Sequence, residues 1–447
     1  MIAEAQDALD NLDKWTSMER VGAPFGVTGI DGSAYISREP LGAVLIISAF
    51  NYPIQLLLAP LAGAIAAGNS SVLKPSEMSP ASSHLMAELV PRYMDSSAIV
   101  VVEGGVHVGK QLLELRWDHI LFTGSERVGK IVAAAAAKHL TPTTLELGGK
   151  CPAIVDKSAD MLVSARRIAQ GRWLNAGQTC LSPDYVLVEK SGRDAFVAAM
   201  KQVTSEWYGA RAEKLEDFCR LTTKTHFARV KAMLSEEHGG EVVVGDATGG
   251  DGGDSGSKMG PVVIVNPSRD SRMMQEEIFG PLLPVVEVDD VAAAVSEVNS
   301  KPSPLAVYCF TGNTATAEMV RSSTTSGAFV MNDALLHMVC PELPFGGVGS
   351  SGMGRYHGKS GFDAMTNPRA ILYKSALMDL AVRYPPHTPT NVAITGMAMF
   401  TPRLPRLTTV LAGATVAAGV AYAAYKAGLL PGVAVSALQA WLPAMLQ

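Results

Sequence analysis

Short apolar runs alternate with longer amphipathic or alanine-rich stretches along the first part of the chain. The runs hold five to nine residues rich in Val, Ile, Leu and Phe, which is typical of buried strands. They occupy residues 42–50, 71–75, 98–104 and 119–124. The stretches that follow them show helical patterns and occupy residues 53–68, 83–94 and 125–140. Strands separated by helices predict a parallel sheet covered on both faces.

The same alternation begins again after residue 180. Further strand patterns occupy residues 184–190, 241–245, 260–265 and 305–310, with a helix near residues 192–207. The sequence therefore predicts an α/β protein with two Rossmann-like, doubly wound parallel-sheet lobes. Residues 22–40 resemble a hairpin that can add an edge strand to a partner, and the glycine-rich residues 245–260 are expected in a surface loop.

Residues 407–425 differ from the rest because they run without a charge. A helix of this length is about 28 Å long, close to the hydrocarbon thickness of a bilayer. With Arg403 and Arg406 before it and Lys426 after it, the segment predicts a transmembrane anchor and a globular part on the cytosolic side. A buried core helix is the alternative. Residues 427–447 fit either an interfacial helix or a second span, and no organelle is indicated.

Composition narrows the class of protein. The net charge of −5, without a basic stripe, argues against a nucleic-acid binder. The beginning of the chain is acidic and amphipathic and lacks the apolar core of a secretory signal. Five scattered cysteines suit a reducing compartment and form neither a disulfide framework nor a metal-ligand spacing: Cys151, Cys180, Cys219, Cys309 and Cys340.

Three polar residues at the ends of predicted elements are candidates for chemistry. Cys180, in "NAGQTCLSPDY", is either a nucleophile or a small core side chain. Glu146 ends the apolar run of "TTLELGGK" and is either a general base with a raised pKa or a solvated carboxylate. Asn51 of "FNYP" either donates to an oxyanion or caps the following helix.

Two glycine-rich segments have the spacing of a phosphate-binding GxxxxGK loop, at residues 104–111 and 124–131. Neither has the following Ser or Thr that would hold magnesium, which argues against ATP binding. In the second, Gly124, Ser125 and Gly129 lie between a strand and a helix, where backbone N–H groups can face a pyrophosphate.

The "LKPSE" segment places Lys74 and Glu77 at the end of a predicted strand. Such a pair can hydrogen-bond the hydroxyls of an adenosine ribose, and the carboxylate would repel a 2′-phosphate. This favours NAD over NADP. The alternative is that Glu77 simply favours the N-terminus of the next helix.

Seven motifs occur in the order found in the aldehyde dehydrogenase superfamily, which this chain resembles over roughly residues 5–375. They are "FNYP", "LKPSE", "FTGS..VGK", "LELGGK", "NAGQTC", "EEIFGP" and "PFGGVGSSGMG". The longer runs "RWLNAGQTCLSPDY" and "PFGGVGSSGMGRYHGKSGFD", with the hydrophobic tail, look most like the class 3, fatty aldehyde dehydrogenase branch.

The resemblance implies a role for each matching position. Cys180 would be the nucleophile, Glu146 the base that activates water, and Asn51 the partner of the Cys180 N–H in an oxyanion hole. It implies cofactor contacts at Lys74, Glu77, Gly124, Ser125, Gly129, Glu277 and Phe279. No metal is implied.

The resemblance also implies a domain order and a homodimer. It divides the chain into an NAD-binding domain, a catalytic domain, a bridging and substrate-access segment and a tail, at residues 1–150, 151–345, 346–385 and 386–447. The hairpin would contribute to the dimer. Family members usually carry more residues ahead of the segment that begins here, so we expect a shortened N-terminus.

These expectations combine into NAD-dependent oxidation of long-chain or otherwise apolar aldehydes to carboxylic acids. The membrane anchor motivates the substrate class, because it would hold the site where such aldehydes partition; aromatic aldehydes and apocarotenals remain open. One alternative is a CoA-acylating dehydrogenase, which generally lacks the glutamate base. The other is a non-catalytic membrane scaffold that retains the fold.

Overall fold

The computed structural model describes residues 2–28, 32–209, 216, 218–250, 257–374, 376, 379 and 381–400. Contacts divide the chain into two compact units. Unit 1 comprises the residues up to Trp15 together with Glu39–Asn367, and unit 2 comprises Thr16–Arg38 with the described residues from Pro368 onward. All of the candidate site residues belong to unit 1.

Sixteen strands and fourteen helices are described. The strands are β1 Glu19–Val21, β2 Ser33–Pro40, β3 Ala43–Ile47, β4 Ser70–Lys74, β5 Ile99–Val101, β6 His119–Gly124, β7 Thr143–Leu147, β8 Cys151–Val155, β9 Pro183–Glu189, β10 Glu241–Val244, β11 Val262–Val265, β12 Leu282–Val288, β13 Ala306–Phe310, β14 Ala328–Met331, β15 Gly352–Met353 and β16 Thr366–Tyr373. The helices are α1 Ile2–Thr16, α2 Phe25–Thr28, α3 Gln55–Ala66, α4 Pro80–Tyr93, α5 Val106–Glu114, α6 Glu126–Ala137, α7 Met161–Trp173, α8 Arg193–Tyr208, α9 Lys224–Ser235, α10 Arg272–Gln275, α11 Val291–Asn299, α12 Thr314–Ser323, α13 Gly358–Ala364 and α14 Pro389–Phe400.

The first sheet of unit 1 has six strands in the order β15-β7-β6-β3-β4-β5. All neighbouring pairs are parallel except β15 and β7, which run antiparallel. The central strand β3 is buried because its Val44, Leu45 and Ile46 side chains are covered on both faces. The carboxyl ends of β4, β6 and β7 therefore meet at one edge of the sheet, where the candidate cofactor residues follow.

The second sheet of unit 1 has seven strands in the order β10-β11-β12-β9-β8-β13-β14. Its pairs are parallel except β10 with β11. Strands β8, β9 and β13 are buried along their whole length, as their continuous Val, Ile and Ala content predicts. The predicted α/β architecture with two parallel sheets is therefore confirmed.

Unit 2 contains a three-stranded sheet in the order β1-β2-β16. Strands β1 and β2 are antiparallel, with Arg20 opposite Tyr35. The predicted hairpin at residues 22–40 is thus supplemented by a strand that begins earlier, at Glu19, and by the short helix α2 between the two strands.

Within the described residues, no helix combines the length and the apolar character that crossing a bilayer requires. The segment at residues 407–425, for which the sequence predicts an anchor, lies outside the described residues. The predicted domain boundaries at residues 150, 345 and 385 stay predictions.

Candidate active site

Strand β7 carries Glu146 into the interior of unit 1, where the residue is only 3% exposed. Both carboxyl oxygens are buried, and neither has a hydrogen-bond partner among the described residues. Burial disfavours the carboxylate, so the pKa of Glu146 lies well above its usual 4.5 although the Arg355 guanidinium acts in the opposite direction. A carboxyl group in this environment binds protons tightly enough to act as a general base near neutral pH.

Cys180 lies in an irregular loop that follows α7. The three residues 175–177 have positive φ angles of 52°, 51° and 78°, and this left-handed turn prevents α7 from continuing. The Gln178 side chain then anchors the loop, since it donates to the Arg220 carbonyl at 3.0 Å and accepts from the Thr222 N–H at 2.9 Å. The loop presents Cys180 as a half-buried thiol outside any helix.

Asn51 follows β3 and contacts the same loop. Its Nδ2 donates to the Gln178 carbonyl at 3.0 Å, and the Asn175 side chain donates to the Asn51 carbonyl at 3.0 Å. An asparagine amide carries two N–H groups, so a second donor is left for an oxygen bound beside Cys180. The geometry suits an oxyanion donor more than a helix cap, because α3 begins only at Gln55.

Glu277 lies between α10 and β12, with its carboxyl group against the backbone that follows β7. A Cβ atom at Gly148 would lie 2.0 Å from Glu277 Oε2, so this close approach requires glycine. Burial and the negative charge of Asp184 raise the pKa of Glu277 to about 8, while a backbone hydrogen bond from Gly149 lowers it. Glu277 thus lies against the turn that directly follows Glu146, although the two residues are far apart in the sequence.

A buried ionic cluster forms beneath these residues. Asp184, four residues after Cys180, pairs with both Lys150 and Arg172, and the Arg172 Nη1 to Asp184 Oδ1 distance is 2.9 Å. Arg172 is completely buried. Buried charges are tolerated when they are paired and hydrogen-bonded, and Arg172 also donates to the Leu282 carbonyl at 2.8 Å, while its Nη2 has no partner among the described residues.

The same ionic cluster holds the segment that carries Glu277. Lys150 Nζ donates to two main-chain carbonyls of residues 273–276, at 2.7 and 2.9 Å. The Ile278 N–H donates to Asp184 Oδ1 at 3.2 Å. Residues on both sides of Glu277 are therefore tied to side chains that lie close in sequence to the nucleophile and to the base.

Phe279 forms an aromatic wall next to this segment. Its φ is 52°, and its ring packs edge-on against Phe50 at 5.8 Å and against His226 at 6.0 Å. His226 Nε2 and the Phe279 carbonyl oxygen are 2.7 Å apart. Because Phe50 precedes Asn51, this wall borders the oxyanion donor.

The candidate adenosine contacts lie at the end of β4. Lys74 is buried, and its Nζ donates to Glu77 Oε2 at 2.8 Å and to the Pro75 carbonyl at 3.0 Å. The Glu77 carboxyl group is exposed. Its pKa is lowered because hydrogen bonding and the charge of Lys74 outweigh its partial burial. The pair is thus arranged so that a carboxylate faces outward from the sheet edge.

The candidate pyrophosphate turn joins β6 to α6. Gly124 ends the strand, and Ser125 precedes the first helical residue without capping it through its side chain. A Cβ atom at Gly129 would lie 2.5 Å from Leu147 Cδ2, so glycine lets α6 lie directly on the end of β7. The first N–H groups of α6 therefore face the same sheet edge as Lys74, which suits a bound phosphate.

A family model described as the aldehyde dehydrogenase family matches residues 3–371. The chain belongs to this family. Aldehyde dehydrogenase family 3 member H1 of Arabidopsis thaliana is 44% identical over 382 residues, which are 85% of this chain and 78% of the relative. The dimeric, NADP-preferring aldehyde dehydrogenase of Rattus norvegicus is 43% identical over 86% of this chain and 84% of its own length.

A solved structure supports the same assignment. A substrate-bound Staphylococcus aureus AldH matches with a TM-score of 0.83 at 37% identity, covering 88% of this chain and 85% of that chain. This aldehyde dehydrogenase is therefore an oxidoreductase with the α/β fold of its family, and its similar relatives include members of family 3.

In this aldehyde dehydrogenase, the thiol and two carboxyl groups influence one another. Burial raises the pKa of the Cys180 thiol to about 12, and the charges of Glu277 and Glu146 act in the same direction. The structure thus brings Cys180, Glu146 and Glu277 together, and Asn51 contacts the loop that carries the thiol.

The sequence did not single out the ionic cluster of this aldehyde dehydrogenase. Lys150 and Asp184 stand in the quoted segments "LELGGK" and "LSPDY", but they are 34 residues apart and their partners include main-chain carbonyls. Arg172 lies in α7, and an arginine in an amphipathic helix is normally predicted to face solvent. The one available signal was that Asp184 is a charged residue at the start of the valine-rich strand β9.

Proposed function

We propose that this aldehyde dehydrogenase oxidises its substrate on Cys180 and hydrolyses the resulting thioester with water activated by Glu146. One observation supports the proposal above all others. The Cys180 thiol interacts electrostatically with both Glu146 and Glu277, and Asn51 is hydrogen-bonded to the loop on which the thiol sits. A nucleophile, a base and an oxyanion donor are therefore within one site.

The Cys180 thiol loses its proton to solvent, and the resulting thiolate attacks the carbonyl carbon of the aldehyde and forms a carbon–sulfur bond as the carbonyl π bond breaks. The oxygen becomes an alkoxide, which accepts hydrogen bonds from Asn51 Nδ2 and the Cys180 N–H. When the alkoxide collapses, the carbon–hydrogen bond breaks with its electron pair and a thioester remains on Cys180.

Hydrolysis then needs a base. Glu146 takes a proton from water while the water oxygen attacks the thioester carbon. The tetrahedral intermediate expels the Cys180 thiolate and releases the carboxylic acid. The apolar surroundings of Glu146, with both oxygens unpartnered among the described residues, leave its carboxylate free to accept this proton.

A nicotinamide dinucleotide, when bound, supplies the acceptor for the hydride. The residues present fit it: the N-terminus of α6 has no side-chain cap and suits a pyrophosphate, and Gly148 leaves room for the Glu277 carboxyl group that would contact a ribose. We propose NAD rather than NADP, because the outward carboxylate of Glu77 would repel a 2′-phosphate. Since one relative is named NADP-preferring, KM must be measured for both cofactors.

We further propose long-chain or otherwise apolar aldehydes as substrates. Apolar side chains at Leu336 and Val339 are 55% and 70% exposed in a short helical turn. This turn includes His337, whose ring packs 6.4 Å from Tyr308, and the Tyr308 hydroxyl donates to the Leu181 carbonyl beside Cys180. An apolar surface connected to the nucleophile through Tyr308 supports an alkyl or aromatic substituent over a charged one.

The membrane anchor, the cytosolic orientation and the homodimer are proposals that rest on the sequence. Fractionation of the full chain and of a chain ending at residue 400 tests the anchor, and light scattering of the latter tests the dimer. Recovery of the full chain without membranes would contradict the first proposal, and a monomer would contradict the second.

The chemistry is tested with three variants. We expect Cys180→Ala to abolish NADH formation even in a single turnover, while Cys340→Ala, which removes an exposed thiol, retains it. We expect Glu146→Gln to give one equivalent of NADH and an acyl-enzyme visible by intact mass. Single-turnover NADH from Cys180→Ala, or a requirement for CoA, would overturn the mechanism.

The substrate class is tested with saturated aldehydes of increasing chain length. We expect kcat/KM to rise by roughly tenfold for every two buried methylene groups until the apolar surface is filled, because each contributes about 0.8 kcal/mol. A preference for short or charged aldehydes would refute the proposal.

A further inference from the structure

Arg355 is a cation that lies close to the otherwise apolar pocket around Glu146. A Cβ atom at Gly346 would lie 2.7 Å from Arg355 Cδ and 2.9 Å from Glu146 Oε1. The side chains of Arg355 and Glu146 therefore both reach within 3 Å of the position that a Cβ atom on Gly346 would occupy. Only a glycine at residue 346 leaves room for this approach.

Main-chain carbonyl groups fix the guanidinium of Arg355. Its Nη1 donates to the carbonyls of Gly347 and Gly354, with a distance of 2.6 Å to the latter. Gly354 lies in the glycine-rich segment at residues 346–354 and has a φ of 76°, which favours glycine. Strand β15, within the same segment, is paired with β7 so that Gly352 lies opposite Glu146. The segment thus carries Arg355 and borders the base at once.

Three other titratable groups lie around Glu146 among the described residues, and none of them is positively charged near pH 7. Cys180 and Tyr356 interact with it electrostatically, and both are neutral near pH 7 because burial raises the pKa of the thiol to about 12 and of the phenol well above 10. On the neighbouring strand β6, His119 contacts Thr144 at 3.1 Å, and burial lowers the pKa of His119 to about 4. These three groups contribute no positive charge at neutral pH.

We propose that Arg355 is a positioning residue that keeps Glu146 able to accept a proton from the hydrolytic water. The inference rests on the proposed role of Glu146 as base. The guanidinium is hydrogen-bonded to backbone carbonyls of the glycine-rich segment, so it does not form a direct ion pair with the Glu146 carboxylate. A fixed positive charge nearby favours the ionised carboxyl group, whereas a bidentate ion pair would block it from water.

Removing the charge changes the pH dependence of hydrolysis in a defined direction. Without Arg355, Glu146 keeps its proton up to a higher pH. The acid limb of the pH–rate profile for hydrolysis therefore moves toward alkaline pH. An opposite charge within about 4–6 Å typically shifts a carboxyl pKa by one unit or more. We therefore expect the limb to move by at least about one pH unit, and the rate at a pH on that limb to fall roughly tenfold.

The experiment compares Arg355→Met with Arg355→Lys and with Lys359→Met. Lys359 pairs with Asp363 on the exposed side of α13. Lys359→Met therefore removes one positive charge four residues after Arg355 without touching the site. The NADH burst with an apolar aldehyde reports acylation, and the later steady rate reports hydrolysis. Intact mass measured over the same pH series reports the fraction of acyl-enzyme directly.

The proposal expects an alkaline shift and acyl-enzyme at neutral pH in Arg355→Met, restoration in Arg355→Lys, and an unchanged profile in Lys359→Met. An unshifted limb in Arg355→Met, even with a lower plateau rate, would assign Arg355 a purely structural role and overturn the inference. A shift that lysine does not restore would overturn it as well. If Arg355→Met does not fold, Arg355→Gln provides the same neutral comparison.

Failure of the proposed function is recognisable separately. If Glu146→Gln hydrolyses the acyl-enzyme as fast as the unchanged protein, the role of Glu146 as base is wrong and the inference falls with it. If Glu146→Gln accumulates the acyl-enzyme while the Arg355 variants keep the original pH profile, only the inference is overturned.

Discussion

Replacing Glu146 with glutamine is expected to stabilise the folded protein while it stops hydrolysis. The side chain is 3% exposed, and its carboxyl oxygens have no hydrogen-bond partner among the described residues. The folded state therefore disfavours the carboxylate and raises its pKa. A glutamine of the same shape cannot ionise, so it removes this cost.

The magnitude follows from proton linkage. Below an unfolded pKa of 4.5, the carboxyl group is protonated in both states and adds no pH-dependent term. Above pH 4.5, the unfolded chain releases the proton while the folded protein retains it, so stability falls by about 1.4 kcal/mol per pH unit until the folded pKa is reached.

Urea denaturation of the two proteins at several values between pH 5 and pH 8 measures this difference. We expect the advantage of Glu146→Gln to grow with pH, by about 1.4 kcal/mol per pH unit as long as the folded protein retains the proton. Glu114→Gln is the control, because Glu114 is exposed and pairs with Lys138 at 3.3 Å, and such a pair contributes at most about 1 kcal/mol. A Glu146→Gln advantage that does not change with pH, or a loss of stability at pH 7, would refute the reasoning.

Three further outcomes are expected. Gly148→Ala would place a Cβ atom 2.0 Å from Glu277 Oε2, so the displaced carboxyl group should lose a ribose hydrogen bond and raise the cofactor KM about ten- to hundred-fold, measured by initial rates. Leu140 has a φ of 55° and is 90% exposed, so Leu140→Gly should stabilise the folded protein by about 1 kcal/mol in urea denaturation. Leu115→Gly, at a φ of −79°, should destabilise the folded protein instead. Lys150→Met breaks a buried ion pair and should cost about 3 kcal/mol in the same assay, and an unchanged midpoint would contradict that role.

The sheets and the candidate catalytic residues were predictable because each carries a local signal. Strand β7 ends in an apolar run followed by two glycines, so Glu146 was recognisable as a polar residue at the end of a buried strand. Asn51 and Cys180 likewise lie in short connections a few residues after an element ends, and the element bounds differ from the predicted ones by only a few residues. Period and turn residues are properties of neighbouring positions, which a sequence displays.

The contacts that hold the site were not predictable in the same way. Lys150 binds main-chain carbonyls more than 120 residues away, and carbonyl groups have no side-chain identity that a sequence can reveal. Ala176 adopts a left-handed conformation that alanine disfavours, so only its surroundings enforce it. The approach of Arg355 to Glu146 depends on the shape of a glycine-rich turn, whose path does not follow from its composition.

The protonated state of Cys180 has a practical consequence for work with the cofactor-free protein. Because burial raises the pKa of Cys180 to about 12, the thiol is protonated there near pH 7. Peroxide and alkylating reagents, which attack thiolates, should then modify the exposed Cys219 and Cys340 first and leave the reactive centre intact. Electrophilic inhibitors of this cysteine should accordingly be screened against the cofactor-loaded enzyme. A screen on the cofactor-free protein would instead select compounds that modify the surface cysteines.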